Sequence, residues 1–319
     1  MYKVGRGVLS ALGVEFKLKK GDIAARLNFC TLDENGKVAD RRAGRISTGE
    51  NQRILKKVKD HISTPPGIEL FLETVSEHRV LMVLRGEDLD DDVPDTDPQE
   101  TNVNPIDPTS GSKESKTAKI VKELLNQVKD ILKDESKANF FLARGFAQLP
   151  NWPSFKERYK LNPAAVAGYP MYRGVSRLLG IPVVYESKTA NEVCKDITRA
   201  MKEHTFVFGH FKYTDKTGED GDLAGKIKVI EEMDQALSIL LDHKPDVLIV
   251  TGDHSTPPSM KAHSWHPVPV LLHAPYTRHV KSGGFNEKSC LQGEIGTIYA
   301  KELLPLAMAH ATKLQKYGA

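Results

Sequence analysis

The apolar positions of this chain follow two rhythms, one in each half. In the first half short alternating runs dominate: Ile23–Phe29 and Val38-Ala39 flank Asp33-Glu34-Asn35-Gly36. Asn-Gly between such runs signals a hairpin. Thr48–Ile62 changes to helical spacing, with Ile54, Val58 and Ile62 on one face and Ser47 or Thr48 as cap. Ile68–Thr74 and Val80–Val83 are two more short strands. The pattern is strand, helix, strand, strand, an α+β module. Glu87–Ser115 interrupts it with acids (Asp88, Asp90, Asp91, Asp92, Asp95, Asp97) and prolines. That composition reads as a long solvated loop. Ile120, Leu124, Leu125, Val128, Ile131 and Leu132 then predict a helix over Ser115–Lys133, capped by Ser115 or Thr117, followed by a strand at Asn139–Leu142.

The second half alternates. After a short helix at Ser154–Arg158, a helix is expected over Ala164–Leu179, broken or kinked at Pro170 and ended by Gly180. Then come strand Ile181–Tyr185, helix Asn191–Lys202, strand Thr205–Phe211 and helix Leu223–Leu241. Strands Val247–Val250 and Val268–Leu272 and a helix over Ile298–Lys313 complete the order. Helix and strand in turn imply parallel strands covered by helices, an α/β fold.

Composition narrows the class. The 319 residues are 39% hydrophobic and 27% charged, as in a globular protein, and the net charge of +3 leaves no nucleic-acid footprint. Cys30, Cys194 and Cys290 are far apart and form no CxxC pair, which fits a reduced, cytoplasmic compartment. The N-terminus lacks a signal-peptide core and no stretch is long enough to span a bilayer, so neither membrane nor nucleic acid is an expected partner. The oligomeric state is not readable.

The candidate chemistry gathers at strand ends. Val247–Val250 stops at Thr251-Gly252, and Asp253 and His254 follow at once, with His263 and His266 before the next strand. A carboxylate with several imidazoles beyond a strand end is a plausible divalent-metal site. Thr205–Phe211 likewise delivers Asp215 at its end and Glu219 four residues on. Two such acidic strand ends facing one crevice would suit a two-metal phosphoryl-transfer site. An acidic surface turn is the plainer reading of the second stretch. Arg41, Arg42 and Arg45 cluster beside Asp40, with Arg26 on the preceding strand. Arginine forks suit phosphate and carboxylate groups, and a solvated basic rim is the alternative.

Several stretches together carry a resemblance: GRGVLSALG, DIAARLNF, DRRAGRI, HRVLMVLRG, DTDP, NFFLARG, FGHFKYTDKTGEDGD, VTGDHSTP and KAHSWHPVPVLL. Over essentially the whole chain they resemble the archaeal-type cofactor-independent phosphoglycerate mutases of the alkaline phosphatase superfamily. The resemblance implies a phosphatase-like parallel sheet flanked by helices, with a smaller inserted α+β domain. Residues 1–20 are then a remnant of the N-terminal part of the core, 21–150 the insert that closes over substrate, and 151–319 the metal-binding core. The implied reaction interconverts 3- and 2-phosphoglycerate in glycolysis through a phosphoserine. Asp215 and His263 match ligands of one metal, Asp253 and His254 those of the other, the ions being Mn²⁺ or Mg²⁺. Glu219 stands where the family commonly has histidine and favours a harder ion. Lys212 could face a phosphate oxygen, and Arg26, Arg42, Arg45, Arg79 and Arg85 are similar to substrate-holding arginines.

In the family a strand ending in a metal-binding aspartate, and then the nucleophilic serine, precede the GRG motif. Here that motif is at residues 5–7. The expectation is therefore a shortened chain without the nucleophile, with one intact metal site. Ser255 is the nearest serine to the ligand pair, and a turn hydrogen bond is its simpler role. A metal-binding pseudoenzyme and a metal-dependent phosphohydrolase using activated water are the alternatives.

Overall fold

The computed structural model describes residues 4–111, 115–278 and 283–314. It divides into two compact units, Met1–Val184 and Tyr185–Ala319.

The first unit is built on β1 (Ile23–Leu32), which opens after helix α1 (Arg6–Gly13). The Asn35-Gly36 turn returns the chain as β2 (Val38–Asp40), with Lys37 O accepting from Asp33 N at 2.9 Å and Gly36 at φ 78°. A 3-10 turn at Ala43–Arg45 leads to α2 (Thr48–His61), whose cap is Ser47, accepting from Glu50 N at 3.2 Å. The chain continues through β3 (Glu69–Ser76), β4 (Arg79–Arg85), α3 (Lys116–Ile131) and β5 (Phe140–Ala147). One edge of β1 pairs antiparallel with β4, the other with β5 and, at its far end, β2, while β3 lies beyond β4.

Period-two alternation gives this sheet two faces. Ile23, Ala25, Leu27 and Phe29 point into the main core with Met82 and Leu84 of β4, and α2 and α3 contribute Ile54, Val58, Val121, Leu124 and Val128. Ala24 points the other way, into a smaller core with Leu81 and Val83 that α1 covers through Val8 and Ala11. The helix lies very close to the strand. A Cβ on Gly7 would stand 2.1 Å from the carbonyl oxygen of Ala24, so only glycine fits.

The β3–β4 turn is latched from α2. Asn51 is fully buried and donates to Glu77 O at 2.7 Å and Arg79 O at 3.0 Å, while Thr74 donates to its Oδ1 at 2.7 Å. Buried carbonyls left without these donors would cost about 1–3 kcal/mol each. The latch fixes where His78 and Arg79 emerge.

Residues 87–115 contain no helix or strand among those described, but they are not a solvated loop. Thr96 pairs with Ala143 of β5 through both main chain and side chain, and the Asp97 carboxylate is wholly buried beneath Arg41, which grips it at 2.8 Å through two nitrogens. Acidic composition read as solvation missed the paired arginine.

The unit continues with α4 (Phe155–Tyr159), β6 (Pro163–Ala167), α5 (Pro170–Leu178) and β7 (Val183–Tyr185). The expected single helix over 164–179 is thus a buried strand and then a helix. Pro163–Ala167 is buried at every residue, and a short apolar run without alternation carries no period to separate strand from helix. Pro170 does not kink a helix but starts one, at a position where its missing N–H is not needed. Ala165 N donates to Pro182 O at 2.8 Å, so β6 and the segment after α5 lie side by side.

The second unit runs α6 (Ala190–Ala200), β8 (Phe206–His210), α7 (Tyr213–Asp220), α8 (Leu223–Asp242), β9 (Leu248–Thr251), β10 (Val270–His273), α9 (Glu287–Cys290) and α10 (Ala300–His310). Its core is formed where α6 meets α8, around Cys194, Ala236 and Leu240. The two strands at the candidate site pair antiparallel, Val270 opposite Thr251 and His273 opposite Leu248, rather than joining an all-parallel set. The chain between them holds no helix that could carry it back to run parallel. No helix among the described residues is long and apolar enough to cross a membrane.

Candidate metal and anion sites

In the second unit β8 delivers Lys212, and the chain turns at once into α7. The acidic stretch expected as a turn is a helix, which puts Asp215 and Glu219 one turn apart on the same side. Gly221 closes the helix at φ 76° and Asp222 caps α8, accepting from Gly225 N at 2.8 Å. Across from α7 stands the loop after β9. Its two arms are tied where Ser264 N donates to Ser255 O at 2.9 Å, which brings His263 alongside His254. The imidazoles stack with centroids 3.7 Å apart.

The donor atoms converge. One ligand atom each from Asp215, His254 and His263 lie within 4.8 Å of one another. His263 Nε2 is 3.4 Å from Asp215 Oδ1 and 3.8 Å from Glu219 Oε1, and His254 Nε2 is 3.2 Å from Asp253 Oδ2. Asp253 thus borders the triplet at His254 and Glu219 at His263. Ser255 takes part through its main chain, and His266 is hydrogen-bonded to the Ser264 hydroxyl at 2.9 Å. Burial opposes the charge on Asp215, but the Lys212 ammonium and the Thr256 hydroxyl outweigh it and hold the carboxyl below its ordinary pKa. An ionised carboxylate beside two imidazoles suits a divalent cation such as Mn²⁺.

A second polar site lies wholly in the first unit, on the β1 face that carries Ala24. Arg26 and Asn28 follow Ala24 at period two, and in register Asn28 faces Arg79 and Arg26 faces Arg144. A hollow beside them is lined by Arg6, Ser10, Arg26, Arg79 and Tyr169. Burial, then the neighbouring Arg6, Arg79 and Arg144, push the Arg26 guanidinium down to about 10. Its Nε is buried with no hydrogen-bond partner. Arg79 meets Glu77 at 2.8 Å, and Arg144 meets Asp95 at 3.3 Å and Asp97 at 3.5 Å. A buried unpartnered guanidinium nitrogen amid further arginines is an anion site by its chemistry.

The other arginines singled out in the sequence differ. Arg42 and Arg45 are exposed beside the 3-10 turn. Arg85 is held by Asp22 through two bonds, at 2.8 and 2.7 Å, and lies over the Phe71 ring, so its fork is already filled. Sequence reasoning passed over Arg6, Arg144 and Thr256 as site residues. The glycines on either side of Arg6 were the available signal, since they mark where α1 closes on β1.

His78, 2% exposed, sits in the field of these arginines. Burial, then Arg79, Arg42, Arg26 and Arg45, push its pKa to about 3, and burial takes His210 in the second unit to about 4. Both are neutral when folded but protonate near 6.5 when unfolded. The unfolded chain therefore binds more protons as pH falls below 6.5, so stability declines from there towards about pH 3. Urea unfolding across that range is expected to show a shallower acid limb in His78→Gln. An unchanged slope would show that His78 does not supply it.

Comparison with known proteins places these features in a family. A family model described as 2,3-bisphosphoglycerate-independent phosphoglycerate mutase matches residues 1–137. A protein of Thermus thermophilus named "Probable 2,3-bisphosphoglycerate-independent phosphoglycerate mutase" is 46% identical over 322 aligned positions, covering 100% of this chain and 79% of that protein. A protein of Aquifex aeolicus with the same name is 42% identical, covering 100% and 80%. Among solved structures, the PH0037 protein from Pyrococcus horikoshii superposes with a TM-score of 0.78 at 26% identity, over 99% of this chain and 80% of that one. The cofactor-independent phosphoglycerate mutase from Thermoplasma acidophilum superposes with a TM-score of 0.64 at 27% identity, over 98% and 82%.

Proposed function

Because the chain belongs to the 2,3-bisphosphoglycerate-independent phosphoglycerate mutase family, we propose that its two polar sites serve the interconversion of 3- and 2-phosphoglycerate, a glycolytic reaction of the cytoplasm. The single observation that carries the metal part of this reading is the convergence of Asp215, His254 and His263 donors within 4.8 Å. We assign these three residues, with Asp253 and Glu219 beside them, to one or two divalent ions, Mn²⁺ or Mg²⁺. Such an ion, when bound, neutralises charge on a phosphoryl oxygen as a Lewis acid.

The chain's own residues do the rest. Lys212 brings a cation to the same site and keeps Asp215 ionised. Arg26 offers an anion a buried Nε–H that is already desolvated, which makes a charge-assisted bond there stronger than on an open surface, and Arg79 and Arg6 line the same hollow. Arg42 and Arg45 add positive potential nearby and attract the substrate. In this reading residues 21–150 form the inserted substrate-binding domain, and 1–20 with 151–319 the core.

The test is a Mn²⁺ titration followed by electron paramagnetic resonance, with and without 3-phosphoglycerate. The proposal expects saturable Mn²⁺ uptake that Ala substitutions at His254 and His263 abolish. It expects calorimetric binding of 3-phosphoglycerate that depends on Arg26. Uptake unaffected by those histidines would overturn the metal assignment.

Glu219 makes the donor set richer in oxygen. Its replacement by histidine is expected to shift preference from Mn²⁺ and Mg²⁺ towards Zn²⁺ and Co²⁺, by about tenfold in relative affinity. Competition titrations against Mn²⁺ read this directly, and an unshifted ratio would remove Glu219 from the ligand set.

A further inference from the structure

We propose that Thr256 is a positioning residue that decides which ring nitrogen His254 offers to a cation. This rests on the metal-site reading above, and the experiment below separates the two. Thr256 is 3% exposed, and its hydroxyl lies between two candidate ligands from different segments of the chain. Its Oγ1 is 2.8 Å from Asp215 Oδ1 and 3.0 Å from His254 Nδ1.

A hydroxyl has one proton to give, and an ionised carboxylate oxygen can only accept. The Thr256 proton therefore goes to Asp215. Towards His254 the hydroxyl can then only accept, so Nδ1 carries the imidazole proton. A neutral imidazole has one N–H, which leaves the lone pair on Nε2. Nε2 is the nitrogen that faces Asp253, at 3.2 Å from Oδ2. A lone pair and a carboxylate facing each other repel when nothing lies between them and attract a common cation.

The rival arrangement puts the proton on Nε2, towards Asp253, and turns the Thr256 hydroxyl to donate to Nδ1. It would take the Thr256 donor away from Asp215 Oδ1. Asp215 is the more buried of the two carboxylates, with 14% of its side chain exposed against 46% for Asp253, so its charge-assisted bond is the costlier to lose.

Thr256 is itself held in place. Lys226 Nζ donates to its carbonyl oxygen at 2.7 Å. Gly218 of α7 presses against it, and a Cβ there would stand 2.2 Å from that oxygen and 2.9 Å from Thr256 Cγ2. The helix carrying Asp215 is thus seated on the residue that orients His254, and one hydroxyl sets both ligands together. Hydrogen-bond partners of metal ligands act in this way, and their loss typically costs 10–100-fold in metal affinity.

The experiment uses ¹⁵N-histidine spectra of the metal-free chain, with His254 assigned by its absence in His254→Gln, and Mn²⁺ titration of each variant. Parent and Thr256→Ser are expected to show His254 protonated at Nδ1 and similar Mn²⁺ affinity. Thr256→Val, which keeps the shape but has no hydroxyl, is expected to move the proton to Nε2 and to weaken Mn²⁺ binding about 10–100-fold. Should Thr256→Val fail to fold, Thr256→Ala makes the same test. An unchanged tautomer and unchanged affinity in either folded variant would overturn the proposal. A parent chain that takes up no Mn²⁺ would overturn the metal reading instead, while the tautomer spectra would still decide the role of Thr256.

Discussion

Asp215→Ala is expected to weaken Mn²⁺ binding by more than about 100-fold, or about 2.8 kcal/mol. Asp215 is the point on which the candidate metal site turns. His263 Nε2 stands 3.4 Å from its Oδ1, Thr256 donates to the same oxygen at 2.8 Å, and Lys212 bonds the other. Removing the carboxylate deletes the anionic ligand and also releases the Lys212 ammonium beside two imidazoles. The site then loses a negative charge and keeps a positive one, and both changes repel a cation. Asp215→Asn separates the effects, since it preserves an acceptor for Thr256 and removes only the charge. Electron paramagnetic resonance of free Mn²⁺ measures both variants, and an affinity within a factor of about three of the parent would contradict the assignment.

Arg26→Met is expected to separate binding from stability. Its side chain is half-buried beside Arg6, Arg79 and Arg144, with Nε buried and unpartnered, an arrangement that costs folding free energy until an anion arrives. Methionine fills similar space without the charge. The variant is expected to be more stable than the parent by about 1–3 kcal/mol in urea unfolding. It is expected to bind 3-phosphoglycerate about 100-fold more weakly. Arg85→Met is the contrast, because Arg85 is committed to the buried carboxylate of Asp22, which its loss would leave unpaired. It is expected to lose stability and keep its affinity. An Arg26→Met protein that is destabilised and binds normally would make Arg26 a structural residue.

Much of this fold is legible in the sequence where one face of an element is apolar and the other is not. The alternation in β1 and the helical spacing of α2 and α3 each match one period and no other, and Asn35-Gly36 marks the turn between β1 and β2. Ala164–Ala167 is not legible in that way, because a run buried on every side shows no period. The candidate metal residues were readable because Asp253 and His254 follow a strand end directly and His263 is close behind. That Asp215 lies on a helix was hidden by glycine, aspartate and lysine, residues common in turns. What places His263 beside His254 is a main-chain pairing between two serines, which leaves no pattern in side-chain type. Thr256 was overlooked for a related reason: a threonine after a metal ligand is indistinguishable from a loop threonine until its two partners are seen. The acids of residues 87–115 show the converse. Their composition reads as solvated, yet Asp97 is buried because Arg41 and Arg144, distant in sequence, meet it.

The central claim is that Asp215, His254 and His263 hold a divalent ion. Diffraction from crystals of this chain grown with Mn²⁺, recorded where manganese scatters anomalously, tests it most directly. The account predicts an anomalous peak within bonding distance of one oxygen of Asp215 and a ring nitrogen of each of His254 and His263. A peak elsewhere, or none in crystals that visibly take up the metal, would contradict it.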